Sequence, residues 1–121
     1  MNTQTYLTKS ELQVMLILWA LPAKGGFTKD ILANFEEPKP AYTTVSTFLK
    51  ILTQKGFVKS IKEGAMLYHL PLISKEEYSK LVIAKNQKDF FDNDPSQFIQ
   101  FIAQNSDLTD EQKQRIAEAV K

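Results

Sequence analysis

The stretch at residues 41–58, AYTTVSTFLKILTQKGFV, constrains the chain more than any other. Val45, Phe48, Leu49 and Leu52 fall at i, i+3, i+4 and i+7, the spacing that places side chains on one stripe of an α-helix. The opposite side carries Thr43, Thr44, Ser46, Thr47, Lys50 and Gln54. An ordinary solvated helix face would carry Glu/Lys pairs. Short hydroxyl side chains with one ammonium and no carboxylate suit a surface that meets base edges and phosphates in a DNA groove. Gly56 stands where a helix closes in the left-handed conformation.

The flanking sequence places this helix third in a row. Thr8 and Glu11 have capping-box spacing, so a first helix starts there, with Leu12, Met15, Leu16 and Trp19 as its inward stripe. Pro22 and the Gly25–Gly26 pair end it. Phe27 leads a very short extended link. A second helix begins with Thr28 as N-cap and runs to about Phe35, with Ile31, Leu32 and Phe35 facing inward, until Pro38 and Pro40 break it. After Gly56 the period changes to two. Residues 57–62 and 65–70 read as the strands of a hairpin with its turn at Glu63–Gly64, and Pro71 closes it.

Helices in this order followed by a hairpin predict a winged helix over residues 1–73. The fold class is therefore mainly α with a small β-hairpin: a winged helix-turn-helix followed by a helical arm. In such a module the third helix enters the groove and the hairpin reaches the flanking backbone. Thr43, Thr44, Ser46, Thr47 and Lys50 are the expected reading residues, and Lys59 and Lys62 the expected wing contacts.

Charge agrees with that assignment in its distribution, although the net charge is only +1. Lys39, Lys50, Lys55, Lys59 and Lys62 follow one another with no Asp or Glu between them, and beyond Ser74 acidic residues prevail. A local basic patch is the footprint expected of phosphate contact.

Residues 74–121 read as a helical dimerisation domain. Ser74 and Glu77 form another capping box, Asp94 and Pro95 start a further helix, and residues 108–112 open the last. Ile116, Ala117 and Val120 are its expected inward positions. Tyr78, Leu81, Val82, Phe90, Phe91, Phe98, Ile99, Phe101 and Ile102 are too many large apolar side chains for three short helices to enclose. A second copy packed tail to tail would cover them.

Enzymatic chemistry finds no support. The chain has no cysteine, which excludes disulfides, thiolate metal sites and cysteine nucleophiles, and fits a reducing cytosol. No glycine-rich phosphate loop, His pair or Ser/His/Asp pattern occurs. His69 is the sole histidine and lies in a β-rich run, where a structural role is expected; neither a metal site nor a cofactor is. No apolar run approaches bilayer-spanning length, so the expectation is a cytoplasmic protein without membrane insertion.

Three ordered segments carry a resemblance over nearly the whole chain: residues 7–19 (LTKSELQVMLILW), residues 42–58, and the hairpin exit at residues 68–74 (YHLPLIS). With them the chain resembles the penicillinase-repressor family of bacterial transcription repressors. The resemblance implies a homodimer that binds a palindromic operator in double-stranded DNA and blocks transcription, with base contacts from the helix bearing Thr43, Thr44, Ser46, Thr47 and Lys50. The antibiotic-resistance members place arginine in that helix; this chain does not, so bidentate Arg–guanine readout is replaced by Thr methyl contact with thymine. Copper-responsive members carry a C-terminal cysteine cluster that is missing here. Resistance-type members are inactivated by cleavage of an Asn–Phe bond in the arm. The matching position is Gln100–Phe101, and a switch of that kind calls for a membrane sensor metalloprotease as partner. The competing reading is a winged-helix adaptor that binds protein and no DNA, since fold alone does not fix function.

Overall fold

The computed structural model describes residues 6–121. Its elements run α1 (Lys9–Ala20), β1 (Gly26–Phe27), α2 (Thr28–Ala33), α3 (Tyr42–Lys55), β2 (Val58–Glu63), β3 (Met66–Pro71), α4 (Lys75–Phe90), α5 (Pro95–Asn105) and α6 (Asp110–Ala119). Two compact units divide at Leu81/Val82, inside α4, and not at the expected 73/74.

In the first unit the helices start where reciprocal caps allow. The Thr8 hydroxyl accepts the Glu11 N–H at 3.3 Å while the Glu11 carboxylate accepts the Thr8 N–H at 2.9 Å. At α2 the N-cap is Phe27, not Thr28, because the Asp30 carboxylate reaches back to the Phe27 N–H at 2.9 Å. α2 ends at Ala33, so Phe35 lies beyond it and is half-buried. The Glu37–Pro38 peptide is cis. α3 closes on Gly56 at φ 85°, a conformation that side-chain-bearing residues avoid, and the Phe57 N–H then returns to the Leu52 carbonyl at 2.9 Å.

The sheet has three antiparallel strands in the order β1-β3-β2. Gly26 pairs with His69 and Phe27 with Tyr68, so the short link after α1 adds a third strand to the expected hairpin. The hairpin register runs from Val58↔Pro71 to Glu63↔Met66. Its two turn residues are therefore Gly64 and Ala65, one position later than expected, with Gly64 at φ 62°.

The core gathers Val14, Met15 and Leu18 of α1, Ile31 of α2, Val45, Leu49 and Leu52 of α3, and Phe57, Val58, Ile73 and Tyr78. Burying such side chains contributes roughly 1.5–3 kcal/mol each. The α1 stripe differs from expectation. Leu16 is exposed and Leu12 and Trp19 are half-buried, while Val14, Leu18 and Glu11 turn inward. Seven of the eight residues at positions 12–19 are apolar, so apolar spacing selected no single face. The buried Glu11 carboxylate also accepts from the Lys55 ammonium at 2.7 Å, which ties α1 to the end of α3. Burial pushes this carboxyl up, but the Lys55 ammonium and the Thr8 N–H outweigh it and hold the carboxyl below its usual range.

Tyr78 belongs to this core and not to a dimer contact. It is 6% exposed, its hydroxyl accepts the Leu7 N–H at 2.8 Å, and its ring meets Phe57 edge-on at 5.8 Å and Trp19 at 6.1 Å. The indole N–H of Trp19 donates to the Ile73 carbonyl at 2.9 Å. These bonds pull the first turns of α4 into the first unit, which moves the boundary to Leu81, itself half-buried.

The second unit has well-formed helices and no core. α4 starts in the first unit, where Ser74 and Glu77 each accept the other's backbone N–H on a side-chain oxygen at 3.0 Å, and runs on into the second. Asp94 caps α5 at the Ser96 N–H, with Pro95 opening the helix, and Thr109 with Gln112 caps α6. No residue in 82–121 is buried. Phe91 stacks on Phe98 at 4.8 Å and meets Phe101 at 5.4 Å, and Phe91 and Phe98 are thereby half-covered within the chain. Val82 is half-buried, whereas Phe90, Ile99, Phe101 and Ile102 are exposed. Ile116, Ala117 and Val120, expected to face inward, are exposed as well.

Tyr78→Phe is expected to cost about 1 kcal/mol through the lost acceptor for the Leu7 N–H. Tyr78→Ala should cost about 3–5 kcal/mol, as for other large aromatic deletions from a core. Urea denaturation of both variants checks this. An alanine variant of native stability but altered oligomeric state would return Tyr78 to the interface.

Candidate nucleic-acid interface

Rotation of α3 about its axis is set by the buried Val45, Leu49 and Leu52. Phe48, the fourth member of the expected stripe, is half-buried at its margin. With that side fixed inward, Thr43, Thr44, Thr47 and Lys50 are exposed, and Ser46 is half-buried. Thr43, Thr47 and Lys50 follow at i, i+4 and i+7, so they line one outward ridge. The Thr47 hydroxyl donates back to the Thr43 carbonyl at 2.9 Å. Its proton is thus committed, leaving its oxygen lone pairs and its methyl to face outward.

The start of α3 is unlike the other helix starts. Ala41 supplies no side-chain cap, and the first turn holds no acidic residue. Every other helix among the described residues has a side-chain acceptor at its first backbone N–H groups or at its N-cap. The positive dipole end of α3 is therefore met by no side-chain acceptor, and the Thr44 N–H turns back to the Ala41 carbonyl at 3.0 Å.

The five lysines of the basic stretch have different fates. Lys55 is committed to Glu11. Lys39 donates to the Ala33 and Phe35 carbonyls at 2.7 and 3.1 Å, closing the end of α2. Lys50, Lys59 and Lys62 are exposed and carry no ion pair among the described residues. The two hairpin lysines do not act on one side. Three positions apart on a strand, they point to opposite faces of β2. Lys62 shares its face with Ser60, whose hydroxyl turns toward Thr53 of α3 at 3.3 Å; Lys59 shares the other face with exposed Ile61.

A hydroxyl–imidazole chain joins the hairpin to the helices. His69 is 2% exposed, with Nε2 at 2.9 Å from the Thr28 hydroxyl and Nδ1 at 2.8 Å from the Ser60 hydroxyl. The Thr53 hydroxyl, next in the chain, donates to the Leu49 carbonyl at 2.7 Å. Both imidazole nitrogens are thereby occupied, in keeping with a structural histidine. Burial holds its pKa below the ordinary value.

Sequence reasoning passed over one group on this side. Tyr42 at the start of α3 and Met66 and Leu67 on β3 are exposed large apolar residues that line one hollow between helix and hairpin. The signal available was local: Tyr42 stands three and seven positions ahead of Val45 and Leu49, on their stripe but at the first residue of α3 and exposed, and residues 66–68 are three consecutive large apolar side chains in a strand where alternation was expected.

No helix among the described residues is long and apolar enough to cross a membrane. A search of curated protein sequences returns no match. Among solved structures, the chain is similar to a crystal structure described as a possible transcriptional regulator for arsenical resistance, with a TM-score of 0.51 and 16% identity over 83% of this chain and 100% of that one. At that identity the likeness is one of fold, and it agrees with a mainly helical winged-helix architecture carrying a small antiparallel sheet. The family model of the penicillinase repressors matches residues 7–121. The chain therefore belongs to the penicillinase repressor family, which comprises DNA-binding transcription regulators and not enzymes.

Proposed function

We propose that the chain acts as a homodimeric repressor that reads a palindromic operator through α3 and is released by opening of its helical arm. The observation that carries this reading is the start of α3: an uncapped, carboxylate-free turn followed by an exposed ridge of Thr43, Thr47 and Lys50. Backbone N–H groups and Lys50 meet phosphates, which position the protein. Thr44 and Thr47, with Ser46 at the margin, present hydroxyl oxygens and methyls to base edges, where thymine methyls are natural partners. Of the hairpin lysines, Lys62 serves the strand beside α3; Lys59 faces away.

Pairing of two heads rests on residues 82–121. A unit without a single buried residue but with Phe90, Ile99, Phe101, Ile102, Ile116 and Val120 exposed has its apolar faces ready for a second copy. A groove lined by Phe90, Phe91, Phe98 and Phe101 offers a seat for side chains of that copy. Joining two weakly binding heads raises operator affinity by ~10²–10⁴.

Release fits the same arm. Gln100–Phe101 is exposed in the middle of α5, an eleven-residue helix. A helix this short is marginal without tertiary support, so it unwinds readily into the extended form a protease takes. A membrane sensor metalloprotease is the partner this calls for.

A second reading, protein binding without DNA, draws on exposed Tyr42, Met66 and Leu67 beside the reading helix. Salt dependence separates the two. Binding of duplex should weaken steeply with salt, and Lys50→Ala should flatten the log–log slope by about 0.9, one phosphate contact. An unchanged slope would remove Lys50 from the contacts, and absence of salt-dependent duplex binding would favour the adaptor.

Phe101→Glu should shift sedimentation from dimer to monomer and weaken operator binding by ~10²–10⁴; a variant that stays dimeric would place the contact elsewhere. For the switch, mass spectrometry of the protein from derepressed cells should find fragments ending near Gln100. Intact chain alone under those conditions would contradict cleavage.

A further inference from the structure

Between α3 and the β2–β3 hairpin lies a cavity of about 520 Å³ that DNA reading does not account for. Leu49, 2% exposed, gives it an apolar floor, and Tyr42, Met66 and Leu67, at 52%, 41% and 44% exposure, form its rim. Three large apolar side chains held open to water beside a phosphate-binding helix serve no phosphate contact. The remaining wall is polar and fixed: the Thr53 and Ser60 hydroxyls are held in the chain that ends on buried His69. Lys50 is the one charged side chain of the lining, with no ion pair among the described residues, and no carboxylate lines the cavity.

A mostly apolar hollow of roughly 300–1,000 Å³ with a few fixed polar groups is the form of small-molecule sites. We propose that this cavity binds a small aromatic monocarboxylate. The ring lies against Tyr42, Leu49, Met66 and Leu67, and the carboxylate meets the Lys50 ammonium. The occupant follows from charge and shape together: one unpaired cation at the edge of a ring-sized apolar wall selects an anion with a flat apolar body. Such a ligand would neutralise the lysine proposed for phosphate contact and fill the space between reading helix and hairpin. It would thereby antagonise DNA binding without any cut in the arm. The antagonism rests on the DNA reading above; the ligand site does not.

The test uses the full chain without DNA, titrated calorimetrically with 2-naphthoate and with its neutral isostere 2-naphthamide. The naphthoate should saturate one site per chain and bind at least about tenfold tighter than the amide, as expected for a charge-assisted contact. Lys50→Gln should erase that difference. Met66→Glu combined with Leu67→Glu, both at exposed positions, should weaken the acid and the amide alike by tenfold or more. No saturable binding, or binding indifferent to all of these substitutions, would overturn the site. In a second arm, duplex affinity should fall as naphthoate saturates the protein. Unchanged duplex affinity with the site filled would overturn the antagonism. A ligand-free chain that binds no duplex would instead overturn the DNA reading, while the calorimetry still decides the site.

Discussion

Burial of Val45, Leu49 and Leu52 is the constraint on which the outward face of α3, the proposed reading surface, depends. Three apolar side chains on one stripe are worth several kcal/mol together, at roughly 1.5–3 kcal/mol each. Nothing on the opposite side of α3 competes with that. The helix therefore has one rotational setting, and Thr43, Thr44, Thr47 and Lys50 are exposed because of what lies behind them. The Lys55–Glu11 pair and the left-handed Gly56 fix the far end of the helix. The near end is left bare of caps, the state in which a helix start can accept a phosphate.

Where one residue type has one local use, the sequence was legible. Thr8 with Glu11, Ser74 with Glu77, Asp94 with Pro95 and Gly56 all mark the ends they were expected to mark. The hairpin was legible to within one residue at its turn, since period and turn chemistry agree there. The helix α1 was harder. Apolar nearly all round, it gave no periodic signal for its buried face, and the charged Glu11 turned inward because Lys55 and the Thr8 N–H compensate its burial. Tyr78 misled for a related reason. Its spacing matches the apolar stripe of α4, but the bond to Leu7 and the contacts with Trp19 and Phe57 come from distant parts of the chain. The face of Lys59 could have been foreseen, because a separation of three in a strand reverses the face; the partners of Lys39 and Lys55 could not.

The two units solve opposite problems. The first encloses a core from α1 to the start of α4 and leaves a polar helix face outside. The second makes capped helices, stacks Phe91 on Phe98, and encloses nothing. On the reading proposed here this asymmetry is functional. A head stable by itself keeps its DNA-facing surface whatever happens to the arm, and an arm that depends on its twin for burial makes pairing, and so operator occupancy, easy to reverse.

The most direct check on the central claim is an amide-resolved NMR titration of the chain with duplex at low salt. The account predicts that the largest shifts fall on the N–H groups from Tyr42 to Lys50, with smaller ones around Lys62 and Gly64. Shifts concentrated on α1, β1 or residues 82–121, with the start of α3 unmoved, would contradict it.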